Sequence, residues 1–126
     1  MNNNKQSRVD LEFVPDEEAL ALKELGFSEP CYKYIYIGDT GNNIDLKLEV
    51  EPSEAENFNS ESLCVSRPTF SQAFRWFREK YNLHYFIDVS DGVWFFDRWS
   101  FDGYKTYEEA ELACLRKLIE IANEQQ

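Results

Sequence analysis

The chain has 126 residues, 43% of them hydrophobic, with 24 acidic against 13 basic side chains and a net charge of −11. That length suits one domain, and the apolar share is enough for a core and excludes a disordered chain. The charge excludes generic binding to nucleic acid or an anionic membrane, which needs a cationic surface, and permits a basic partner.

Residues 1–12 read as a flexible polar tail and residues 13–126 as a single α+β domain. The opening MNNNKQSRVD has no apolar stretch of the kind a signal peptide carries. No run approaches the roughly 18 apolar residues of a membrane span. Cys31, Cys64 and Cys114 are odd in number and far apart, which fits free thiols in a reducing, cytoplasmic setting.

Pro15 and Asp16 open a short helix, with Asp16 as its expected N-cap, Glu17 and Glu18 at its positive end, and Gly26 as its stop. Phe27 is expected to pack back onto it. After Pro30 the period changes. Cys31–Ile37 (CYKYIYI) reads as a strand with Tyr32, Tyr34 and Tyr36 on one face. A turn cluster, GDTGNN, follows at 38–43. Ile44, Leu46, Leu48 and Val50 then alternate with charged residues, the pattern of a half-buried strand pairing back on the first. Residues 51–67 are rich in Ser, Glu and Asn and read as a surface loop, with Leu63–Val65 as its anchor.

The stretch 69–101 holds the densest aromatic content. Thr69 and Gln72 suit a capping box, and Phe70, Phe74, Phe77 and Tyr81 recur at helical spacing. Leu83–Val89 and Val93–Trp99 flank Asp91-Gly92, a hairpin turn pair. A turn at Asp102-Gly103 follows. Thr106 and Glu109 form a second capping box, and Ala110, Cys114, Leu118 and Ile121 share one face of the last helix. The order is α-β-β-α-β-β-α, an α+β fold in which two hairpins join as a four-stranded antiparallel sheet with the helices on one face. Aromatic residues fall on both faces of each hairpin. Either other segments cover the second face, or an aromatic surface is left for a partner.

No catalytic or cofactor motif is specific. His84 is the sole histidine, and Asp88 lies about 13 Å along the same strand, too far for a dyad. The cysteines lack the close pairing of a zinc site. GDTGNNID, with Asp39, Asn42 and Asp45, fails the calcium-loop spacing and reads as a turn. The chain is therefore read as a non-enzyme with no cofactor or metal. The expected docking residues are the acidic Glu49, Glu51, Glu54 and Glu56 and the aromatic Tyr34, Trp94 and Trp99. Glu61, Glu108, Glu109 and Glu111 add to the negative charge. The alternative is an RNA-binding module using Tyr32, Tyr34, Tyr36 and nearby arginines, against which the acidic total counts.

Three segments, EALALKELGFSEPC at 18–31, QAFRWFREKYNL at 72–83 and YKTYEEAELACLRKLIEI at 104–121, together resemble a family of small proteins found in phages and prophages of Bacteroidetes-type bacteria. The resemblance covers about half the chain and brings no catalytic residues with it. It implies a phage origin and a bacterial host cytoplasm. By analogy of origin, the expected role is to bind and inhibit a basic host protein such as a CRISPR effector or another defence nuclease, as anti-CRISPR proteins do.

Overall fold

A computed structural model of the chain describes residues 10–37, 46–96 and 103–125, and these hold three α-helices and five short strands. The α+β class is as expected. The backbone groups into two compact units, one of residues 13–69 and one of residues 70–126 with the N-terminal segment before Phe13.

In the first unit, α1 (Asp16–Leu25) has Pro15 as its N-cap, with no side-chain cap, so Asp16 is the first helical residue. Asp16, Glu17 and Glu18 occupy the first turn, where carboxylates meet the positive end of the helix dipole. Gly26 ends the helix at φ 97°, a conformation that suits glycine because it has no Cβ. Its N–H donates to Lys23 O at 3.0 Å, and Phe27 N–H donates to Leu22 O at 3.0 Å. This is the paired bond set of a Schellman stop, and it brings Phe27 into the buried core with Leu22 and Leu25.

Strand β1 (Lys33–Tyr36) is central. It pairs antiparallel with β2 (Leu46–Glu49) on one edge and with β3 (Cys64–Ser66) on the other. Strand β3 was expected as part of a surface loop. It forms because Val65 sits opposite Ile35 and both are buried. Each such side chain contributes about 1.5–3 kcal/mol on leaving water. Helix α1 lies against β3. Leu48, expected on a buried face of β2, is 40% exposed. The apolar alternation there marks a strand, but one at the edge of the sheet.

The 51–67 stretch is knitted in by polar side chains. Phe58 N–H donates to Ser66 Oγ at 3.0 Å, and Ser66 N–H donates to Asn59 Oδ1 at 2.8 Å. Asn59 Nδ2 donates to Phe27 O at 2.9 Å. Lys23 Nζ reaches Glu61 O and Cys64 O at 2.8 and 2.6 Å. Arg67 is buried, its Nε donating to Val14 O at 3.1 Å with the Asp16 carboxylate 3.9 Å away.

In the second unit, α2 (Phe70–Tyr81) buries Phe70, Ala73, Trp76 and Phe77. Phe74 and Tyr81 lie half-buried beside that stripe, which is rotated towards Trp76 from the expected one. Strands β4 (Ile87–Ser90) and β5 (Val93–Phe96) form a hairpin closed by Asp91-Gly92, both at positive φ, 53° and 78°. Such a turn matches the twist of the strands it joins. The last helix, α3 (Tyr107–Glu124), starts at the expected capping box. Glu109 N–H donates to Thr106 Oγ1 and Thr106 N–H donates to Glu109 Oε1, each at 3.1 Å. Its buried face runs through Ala110, Cys114, Leu115, Leu118, Ile119 and Ala122.

Among the described residues the expected four-stranded sheet is replaced by two antiparallel sheets, of three strands (β2-β1-β3) and of two (β4-β5), and the strand order gains β3 before α2. The reason is local. Both edges of β1 are filled from within residues 33–66. The inner edge of β5 is taken by Tyr104, with Trp94 N–H to Tyr104 O and Tyr104 N–H to Trp94 O at 2.8 Å each. Closing short loops costs less chain entropy than bringing two distant hairpins together.

Candidate functional site

Four of the seven expected docking residues come together at the start of β1. Val50 N–H donates to Tyr32 O at 2.8 Å on one side. On the other side Cys31 and Glu56 exchange backbone bonds of 2.9 and 3.0 Å. The chain from Glu49 to Glu56 therefore loops round Cys31 and Tyr32. Neighbouring strands lie about 4.8 Å apart, so the two limbs of this loop are on the order of 10 Å apart.

The loop is held by its own chemistry. Pro52–Glu54 is a single 3-10 turn with proline in its first position, where a missing N–H leaves no acceptor empty. Glu51 N–H donates to Glu54 Oε1 at 3.3 Å, and the Glu51 side chain accepts the Glu54 N–H in return. Glu49, Glu51, Glu54 and Glu56 are all exposed. Among the described residues, none of the four is ion-paired to a lysine or arginine. Lys33 stands opposite Glu49 in the register, yet its Nζ lies 4.2 Å over the Phe13 ring. At physiological salt the screening length is about 8 Å, so carboxylates this close add their potentials.

Tyr34 lies half-buried and stacks on Phe58, with ring centroids 4.0 Å apart and planes 16° from parallel. Tyr32 meets Phe13 edge-on at 5.6 Å. Trp94, in the second unit, is half-buried with its ring edge-on to Tyr107 at 5.4 Å. Trp99 and the GDTGNN turn with Asp39, Asn42 and Asp45 lie outside the described residues.

The catalytic candidates go separate ways. The exposed His84 has Nε2 3.0 Å from Asn82 Oδ1, whereas the Asp88 carboxylate accepts the Val89 N–H at 2.8 Å. Cys31 is buried with its thiol 3.6 Å from Glu29 O, and burial pushes its pKa up to about 12. Desolvation also raises the half-exposed Cys64. Among the described residues no three His, Cys, Asp or Glu side chains are placed to hold a metal ion.

A hollow of about 460 Å³ lies beside α3, floored by Phe96, Tyr104, Leu112 and Ala113. The charged groups on it are committed to neighbours. Glu109 is in the capping box, and Lys117 Nζ is 3.3 Å from Glu120 Oε1. Nearby, Tyr107, Glu108, Glu111 and Glu12 form a titratable cluster. Desolvation first, then the negative charges of Glu108 and Glu12, lift the Glu111 carboxyl to about 7, against a hydrogen bond from Tyr107.

Sequence reading missed Asn59, Ser66 and Arg67, which carry structure where solvated loop was expected. Ser66 and Arg67 beside the short apolar Cys64-Val65 pair were the available signal. No protein-family model, curated protein sequence or solved structure matches the chain.

Proposed function

We propose that this protein is a phage-type interaction protein that docks on a basic host protein, such as a CRISPR effector or another defence nuclease, and blocks it. The supporting observation is the rim of four exposed carboxylates, without cationic partners among the described residues, fixed by backbone bonds at the start of β1. A fixed loop loses little conformational freedom on binding, and its field speeds encounter with a positive groove. Such a rim competes with the phosphates of nucleic acid for the same cations. The RNA-binding alternative has less support, since the Tyr34 ring is already stacked on Phe58.

The test is capture from host lysate with the wild-type chain and with Glu49, Glu51, Glu54 and Glu56 all changed to Gln. The wild type is expected to retain a saturable basic partner that nucleic acid displaces. Four exposed pairs at roughly 0.2–1 kcal/mol each predict a loss of about fourfold to several-hundredfold in the variant. Equal retention of that partner by both proteins sinks the proposal.

A further inference from the structure

Strand β4 is the open edge of the two-stranded sheet. Bonded and non-bonded pairs alternate along an antiparallel ladder. The two-residue turn makes Ser90–Val93 a bonded pair, and Asp88–Phe95 the next. Ile87 and Val89 therefore turn their N–H and C=O groups outward. Trp94, opposite Val89, fixes the phase, because its own N–H and C=O point to the other side and bond Tyr104. Among the described residues no strand pairs with the outer edge of β4. The outward Val89 N–H is instead taken by the side chain of its neighbour, Asp88 Oδ1, at 2.8 Å.

The side chains along this edge add a chemical signature. From Leu83 to Asp88 exposure alternates, with His84, Phe86 and Asp88 turned to solvent. Phe86 and Val89 are each 43% exposed. Residues 83–96 contain Asp88 and Asp91 and no lysine or arginine. A second copy of this chain laid antiparallel on β4 with Ile87 opposite Val89 would set Asp88 against Asp88, which destabilises a pair of strands. A basic strand meets the opposite sign.

We propose that the outer edge of β4 takes up an extended, basic segment of a partner protein as an added strand, with Asp88 as a placeholder. In the free protein the Asp88 carboxylate satisfies the Val89 N–H. On docking, a partner carbonyl accepts that N–H and Asp88 turns to a lysine or arginine on the incoming strand. Val89 receives its apolar side chains on one face, while Phe86, on the Asp88 face, lies along the lysine stems. Main-chain bonds supply affinity and alternate side chains supply selectivity, as in other strand-addition complexes. The inference stands on the hairpin alone and not on the rim at Glu49–Glu56.

A fluorescent peptide alternating Lys and Val, with its Glu–Val counterpart, tests this by anisotropy and by amide shifts of the labelled protein. The Lys–Val peptide is expected to bind with its largest shifts at Ile87–Ser90, at least tenfold tighter than the Glu–Val peptide. Val89→Pro removes the outward N–H at a place where an edge strand tolerates proline, and is expected to weaken binding at least tenfold. Near-ultraviolet dichroism of the Trp94–Tyr107 contact reports whether that hairpin remains folded. If it does not, the wild-type shift map and the two-peptide comparison still decide. The Glu49, Glu51, Glu54 and Glu56 to Gln variant is expected to bind the peptide unchanged. Shifts absent from 87–90 at millimolar peptide, equal binding of both peptides, or loss of binding in the Gln variant overturns the proposal. A concentration-dependent wild-type dimer that Val89→Pro abolishes also overturns it and assigns the edge to a second copy.

Discussion

Asn59 is the side chain on which the polar 51–67 segment most depends, and Asn59→Ala measures that dependence. Its Oδ1 accepts the N–H of Ser66, a residue with no exposed surface, and its Nδ2 donates to Phe27 O. Alanine removes both. The lost amide–carbonyl bond to Phe27 costs about 0.5–1.5 kcal/mol, and stranding the buried Ser66 N–H costs about 1–3 kcal/mol. The sum is about 2–4 kcal/mol. For a chain of 126 residues, 1 kcal/mol moves the melting temperature by roughly 4 °C. The expected fall is therefore about 8–15 °C, read by far-ultraviolet circular dichroism, with urea titration giving the free energy directly. Ser66→Ala, which removes the acceptor for Phe58 N–H and the hydroxyl that bonds the Cys31 thiol, is expected to cost about as much. A fall of less than about 3 °C in Asn59→Ala refutes the argument, since it would mean that water replaces the amide at no cost.

Thr106→Ala removes one arm of the α3 capping box and is expected to cost about 1 kcal/mol, or roughly 4 °C; an unchanged melting temperature would show the cap to be idle. Glu111 has its carboxyl raised from 4.5 to about 7 in the folded protein, so the folded state holds more protons than the unfolded one across that interval. Its stabilising effect is present below pH 4.5 and is lost as pH rises through about 7. Glu111→Gln is expected to gain on the wild type in melting temperature from pH 4.5 towards pH 8, and a difference independent of pH contradicts this assignment. Thiol alkylation at pH 8 followed by mass mapping is expected to mark Cys64 before the buried Cys31, whose thiol sits at about 12. Labelling of Cys31 first would mean that the first unit opens at β1.

Where a signal repeats within a few residues, the sequence alone is enough. Pro15, the Glu-rich first turn and Gly26 delimit α1, because caps and dipole act over one turn. Thr106 and Glu109 announce α3 through bonds between residues three apart. Asp91-Gly92 demands a hairpin, since both residues take positive φ. The exposed carboxylates from Glu49 to Glu56 were legible too, as charge seldom leaves water without a partner.

Tertiary structure decided what depends on partners far along the chain. Strand β3 has three residues, too few for a period of two to show, and exists because β1 offers Val65 a place opposite Ile35. Whether Leu48 is buried turns on β2 lying at an edge, which alternation within the strand does not encode. The burial of Arg67 and Ser66 follows from acceptors and donors supplied by Val14 and Phe58, 53 and 8 residues away. Among the described residues the outer edge of β4 is open because Tyr104 pairs with Trp94 on β5 and no segment pairs with β4 on its far side, a choice that leaves no trace in the residues of β4. Period, cap and charge are properties of neighbours in sequence, and edge, register and burial are properties of neighbours in space.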